Sequence, residues 1–267
     1  MSSSSSASRV ALRREVDARI GACSLAVAGE LLAIGALLGT EKSLRTSLAD
    51  AGTPVEARQA LAADLFAGKV QSTTAELLAA AVANRWPDAM DLVEVVEELG
   101  AVVAFTAAEA DGSLDAVEEE IFLFGRAVEA NPELQMTLTN PAVGSAQKAA
   151  LVRDLLGSAT ATATELLAHV AANLRGRRVD SAVSALSNLA AAQRERVVAQ
   201  VRVAVALDDA QTERLAGALS RFAARQVHLN VVVDPTVIGG ASVRLGDQVI
   251  DGTMLTRLSQ ARRSIVG

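Results

Sequence analysis

LQMTLTNPAVGSAQKAALVRDLLGS, residues 134–158, has a counterpart earlier in the same chain. LRTSLADAGTPVEARQALAADLFAG begins at Leu44, 90 residues upstream (134 − 44), and six of the 25 aligned positions are identical. These are Leu44/Leu134, Leu48/Leu138, Ala60/Ala150, Leu61/Leu151, Asp64/Asp154 and Leu65/Leu155, and Arg58 lies opposite Lys148. The identities fall at helical spacings. A second block, TTAELLAAAVANR from Thr73, matches TATELLAHVAANL from Thr162 at an offset of 89 (162 − 73), so a one-residue gap joins the two blocks. A duplication of this length sets the architecture: the chain carries two copies of one helical module.

Working outward, copy one runs to about Trp86-Pro87, where the proline disfavours helix at the residue before it. Copy two runs from Asp88 to about Arg178. Within copy two, DLVEVVEELGAVVAFTAAEADGSLDAVEEEIFLFGRAVEANPEL reads as two helices broken at Asp111-Gly112-Ser113, a turn with a ready N-cap for the second. Asn131-Pro132 and Asn140-Pro141 punctuate the chain beyond them, and helices are predicted over about 145–156 and 161–174. DSAVSALSNLAAAQRE adds another, with Val183, Leu186, Leu189 and Ala190 at 3.6-residue spacing. The pattern is that of an antiparallel helical bundle.

After Arg196 the period changes from helical to alternating. VVAQVRVAVAL reads as a strand with Val201, Val203, Val205 and Leu207 on one face. Asp208 is placed to cap a helix whose Leu215, Leu219, Phe222 and Ala223 form an apolar stripe, and VHLNVVVD supplies a second strand. GASVRL and QVID then flank Gly246-Asp247, a two-residue connection that favours glycine because a tight hairpin needs positive φ. Gly239-Gly240 suits a bulge or a close strand entry, and Thr253 is placed to cap a last helix in which Leu255, Leu258, Ala261 and Ile265 share a face. The expected fold class is therefore mainly α: duplicated N-terminal antiparallel helical bundles, then a small α/β C-terminal domain with a β-hairpin. The expected segments are an extra helical module over 1–87, a bundle over 88–196 and the α/β domain over 197–267.

Composition narrows the function. Apolar residues make up 51% of the 267 residues but aromatics only 2%, so the core is built from Ala, Leu and Val, as suits closely packed helices. A formal charge of −6 lacks the basic footprint of a nucleic-acid binder. The single cysteine, Cys23, forms no internal disulfide, and a reducing compartment is the simplest expectation. IGACSLAVAGELLAIGALLG, residues 20–39, has the length of a membrane span, yet Glu30 sits in its middle, where a carboxylate costs about 2.5 kcal/mol or more. It reads as a buried amphipathic helix.

Patterns that carry chemistry are sparse. GALLGTEKS, residues 35–43, has the residues of a phosphate loop in the wrong spacing and on a helix end. His169 and His228 fall in different predicted domains, too few and too far apart for a metal site or a triad, and no cofactor or metal is expected. The acidic run 108–120 lacks the glycine and glutamate positions of a calcium loop and reads as a solvated helix start. RGRR, residues 175–178, is the one dense basic cluster, either a partner contact or favourable cations at a helix C-terminus.

LNVVVDPTVIGGASVRLGDQVIDGTMLTRL, residues 229–258, strongly resembles the delta subunit of bacterial ATP synthase, a relative of the mitochondrial oligomycin-sensitivity-conferring protein. The motif elements are Asp234-Pro235, Gly239-Gly240, Val243-Arg244-Leu245-Gly246-Asp247 and Ile250-Asp251-Gly252-Thr253, with threonine in place of the more usual serine. AEADGSLDAVEEEIFLFGRAVEANPELQMTLTNPAVGSAQKAALVRDLL looks like that family's N-terminal helical domain, so the resemblance covers about 88–267 and leaves copy one as an added module. It implies a non-catalytic peripheral-stalk subunit without a membrane span or cofactor. Such a subunit joins the alpha subunits of the catalytic head to the b-type stalk subunit on the cytoplasmic face of the bacterial plasma membrane. Phe122, Leu123 and Phe124 are candidates to line a groove for alpha, and Leu219, Phe222, Leu255, Leu258 and Ile265 to face b; each could equally be core. A free-standing helical adaptor and a small α/β ligand-binding protein are the alternatives.

Overall fold

The computed structural model describes residues 3–194, 197–223, 227–234, 240–245 and 248–251. They fall into two compact units, Met1–Gln193 and Arg194–Gly267.

The first unit is helical, and its elements repeat as the sequence does. α1 (Ser3–Ala18), α2 (Leu25–Thr40), α3 (Lys42–Ala49), α4 (Val55–Phe66) and α5 (Ser72–Ala83) precede α6 (Ala89–Ala110), α7 (Leu114–Ala130), α8 (Pro132–Thr139), α9 (Ser145–Leu155), α10 (Ala161–Ala172) and α11 (Val179–Arg194). α3 and α8 start 90 residues apart (132 − 42), α4 and α9 likewise (145 − 55), and α5 and α10 start 89 apart (161 − 72). Between those starts α9 is one residue shorter than α4 (11 against 12), which accounts for the one-residue gap.

Local chemistry sets the helix ends. The Ser24 hydroxyl accepts from Val27 N–H, and Asp88 with Asp91 forms a capping box at α6. Asn131 accepts from Leu134 N–H and is followed by Pro132 at the first helical position, where its missing N–H removes no helical bond. At the α6–α7 break Gly112 takes φ +77°. Ser113 departs from its expected role: its hydroxyl donates to the Asp111 carboxylate and makes no cap bond to α7. Trp86 is buried, with its indole N–H donating to Ala81 O at 3.0 Å.

The two copies share one core. Leu92, Val93, Val96, Leu99, Val102, Val103 and Phe105 of α6 are all buried, because neighbours cover most of the helix apart from the side that carries Glu94 and Glu98. Its closest neighbour is α2, where glycines admit the approach. A Cβ on Gly100 would sit 2.9 Å from Leu32 Cγ and 3.2 Å from Ala28 O, and one on Gly35 would collide with Glu97. The repeat boundary at 87/88 is therefore not a break in packing. Glu30, in the middle of the former membrane-span candidate, accepts from the Gln71 backbone N–H at 2.9 Å and from the Thr74 hydroxyl. No described helix is long and apolar enough to cross a membrane.

The second unit holds a four-stranded sheet in the order β2-β1-β3-β4: β1 (Val197–Val203), β2 (Val227–Val233), β3 (Ala241–Leu245) and β4 (Gln248–Asp251). β1 and β2 are parallel through α12 (Asp209–Ala223), and β1–β3 and β3–β4 are antiparallel. Leu245 pairs with Gln248, so two residues connect β3 to β4. Gly240 takes φ +81° as the chain enters β3, a backbone region that favours glycine. Asp208 caps α12 by accepting from Gln211 N–H at 2.6 Å. Ala199, Val201, Val203, Val227, Val243 and Leu219 form the core. Val205, expected on the inward face of the first strand, lies past its end and is exposed. Pro235, Gly239, Gly246, Asp247, Gly252, Leu255, Leu258 and Ile265, and the expected last helix with them, lie outside the described residues.

Candidate docking cleft

The helical unit contains a cleft of about 470 Å³ between α6, α10 and α11. Its apolar wall comes from Ala101 of α6, Leu166 and Val170 of α10, and Ala182, Leu186 and Leu189 of α11. The apolar face predicted for α11 explains two of these: Leu186 is buried and Leu189 half-buried, so the stripe turns one edge to the core and the other to the cleft. Glu94, Glu98, Asn188 and Arg177 edge it, and Arg9 reaches in from α1. Arg9 pairs with Glu98 and lies 3.6 Å from Glu94.

A half-buried ionic group ties α6 to the end of α10. Glu97 Oε1 is 3.0 Å from His169 Nε2, and its Oε2 accepts from Arg175 at 2.9 Å. Burial disfavours the charged carboxylate, but the hydrogen bonds and charges of His169 and Arg175 outweigh it and hold Glu97 down at about 2. Arg175 reaches Glu97 from the α10–α11 turn, where it takes φ +47° and Gly176 φ +80°. Asn173 also donates to His169 O at 2.9 Å. Both ring nitrogens of His169 therefore face structural partners, the second being 3.3 Å from the Asn173 amide. Of the basic cluster, Arg178 pairs with Asp180 and only Arg177 edges the cleft.

The candidate contact residues separate. Phe124 is 4% exposed and belongs to the bundle core, whereas Phe122 (61%) and Leu123 stand on the outer face of α7; none of the three lines the cleft. In the second unit Leu219 is 7% exposed and packs on the sheet, while Phe222 is 64% exposed. Of the motif residues, Asp234 follows β2, with its N–H donating to Val203 O at 2.8 Å, and Asp251 ends β4 opposite Ser242. Among the described residues no cluster of His, Cys, Asp and Glu could hold a metal ion. The arrangement is equipped to bind an apolar face: side-chain wall, charged rim and paired ionisable groups. Periodicity missed the cleft because Leu166, Val170 and Leu186 are indistinguishable from core positions until three helices come together.

A duplicated helical bundle with an interhelical cleft, followed by a small α/β unit with a β3–β4 hairpin, is the architecture against which the chain can be compared with known subunits. The family model described as "ATP synthase delta (OSCP) subunit" matches residues 96–265, and this chain belongs to that family. The ATP synthase subunit delta of Streptomyces avermitilis is 43% identical, covering 95% of this chain and 94% of its own. That of Streptomyces griseus is 41% identical over the whole of both chains, and that of Nocardia farcinica 40% identical over 98% and 97%. Copy one is thus matched too: these relatives have the full length, and the first repeat is part of the subunit as they carry it.

Proposed function

We propose that this chain is the delta subunit of a proton-translocating ATP synthase, a non-catalytic peripheral-stalk component that couples the catalytic head to the stalk and resists rotor torque. The observation that carries this is full-length similarity to delta subunits combined with an apolar cleft in the bundle. In this reading the cleft takes an N-terminal amphipathic helix of an alpha subunit, because such a helix lays one apolar face between two or three host helices. The α/β unit meets the b-type subunit, with Phe222 as its exposed candidate contact. The protein is held at the cytoplasmic face of the plasma membrane by these partners, and it has no active site of its own.

Titration of the full chain with a synthetic peptide of the cognate alpha subunit's N-terminal helix tests the reading. Saturable binding with negative heat-capacity change is expected, since apolar surface is buried. Absence of binding, together with failure of the tagged chain to retrieve alpha and b subunits from detergent-solubilised membranes, sinks it.

A further inference from the structure

The two repeats share one plan but leave different spaces. Val95, Glu98 and Leu99 line a gap of about 20 Å³ between α1 and α6, and the positions 90 residues later, Ala185, Asn188 and Leu189, line the 470 Å³ cleft between α6 and α11. In the first, Leu12 is buried and fills the gap. In the second, Ala185 and Asn188 are exposed and Leu189 is half-buried. An apolar cleft of this size has lost dispersion contacts on both walls, and a helix free to move would close on it.

Gln193, near the end of α11, is what stands against that. It is 1% exposed; its amide nitrogen donates to the Glu109 carboxylate of α6, and its oxygen accepts from the Arg13 guanidinium of α1. Three helices therefore meet at one amide whose donor and acceptor are both engaged. Moving α11 would strand these groups away from water, which is far costlier than losing an exposed hydrogen bond. One turn earlier on α1, Arg9 pairs with Glu94 and Glu98 and so fixes α1 to the same stretch of α6 that edges the cleft.

We propose that the N-terminal repeat is a strut that holds the docking cleft open, with Arg13, Glu109 and Gln193 as its positioning residues. The first repeat is then no second docking module: its own gap is filled, and its first helix sets the far wall of the cleft. This rests on the cleft being the docking site.

Gln193→Glu in the full chain sets a second carboxylate beside Glu109. Hydrogen exchange over residues 183–193 is expected to rise by about tenfold or more, and affinity for the alpha N-terminal peptide to fall by a similar factor. Combining Gln193→Glu with Glu109→Gln reverses the direction of the 109–193 hydrogen bond while position 193 still accepts from Arg13, and both quantities return to within about twofold of the parent. A residue that merely fills space shows no such rescue. Arg13→Met, which keeps the buried stem, reproduces the rise. Unchanged exchange in Gln193→Glu and Arg13→Met, or failure of the double substitution to restore it, overturns the strut. Failure of the parent chain to bind the peptide overturns the docking reading instead, and exchange in α11 then judges the strut without it.

Discussion

Glu30 and Glu120, 90 residues apart, perform the same act in the two repeats. Glu30 on α2 accepts from the Gln71 N–H at the start of α5, and Glu120 on α7 accepts from the Thr160 N–H at the start of α10, each at 2.9 Å. Each carboxylate thus occupies the positive end of a neighbouring helix and satisfies an N–H that has no partner within it. For Glu30 burial opposes ionisation, yet the bonds from Thr74 and Gln71 prevail and lower its pKa. Either Glu→Ala substitution is expected to destabilise the helical unit by about 1 kcal/mol. Urea unfolding followed by circular dichroism measures it, and an unchanged midpoint in both variants removes the role.

The Glu97 group makes stability pH-dependent. Its carboxylate sits at about 2 when folded against an ordinary value of 4.5. The stabilisation is complete above the unfolded value and is lost as pH falls through about 2. The gap corresponds to roughly 3 kcal/mol. Thermal unfolding between pH 5 and 2 should show a steeper decline in the parent than in Glu97→Gln; parallel curves contradict the assignment.

Close packing of α2 on α6 depends on small residues. Gly100→Ala forces a Cβ to within 2.9 Å of Leu32, and overpacking of this kind costs about 1–3 kcal/mol. A chain beginning at Asp88 removes α2 altogether and bares the α6 face that covers it. That shortened chain is expected to bind a hydrophobic dye and to associate, checked by fluorescence and gel filtration. A monomeric, dye-silent product would show that the second repeat folds without the first.

The cleft wall gives a direct test of docking. A carboxylate placed beside Leu166 and Val170 interrupts the apolar wall of the cleft. Leu189→Asp, at a half-buried position, is expected to weaken binding of the alpha helix by about tenfold or more while leaving the helical content intact. Phe122→Asp, on the outer face of α7, should leave that affinity unchanged; equal losses in both would place the site elsewhere.

Cys23 offers a probe of the α1–α2 turn. Burial, with the negative charge of Asp17 adding to it, raises its thiol to about 11 from 9.0. At pH 8 its alkylation should run roughly a hundredfold slower than that of an exposed cysteine, in proportion to the thiolate present. A fast reaction would mean that the turn opens readily.

Much of this protein was determined by local sequence. The break at Asp111-Gly112, the proline after Asn131 and the two residues between Leu245 and Gln248 each act over a few residues, so helix and strand limits could be read from them, and the repeat offset of 90 could be read by aligning the chain with itself. The glycine-rich motif likewise carried the family, because its backbone requirements are local. Tertiary structure alone decided that the two repeats share α6, that Phe124 turns inward while Phe122 stands exposed, and that α11 stops short of α6 to leave a cleft. A helical apolar stripe specifies burial, not the neighbour that provides it. That neighbour was set by contacts such as Gly35 to Glu97 and Arg13 to Gln193, between residues 62 and 180 apart in the chain (97 − 35; 193 − 13).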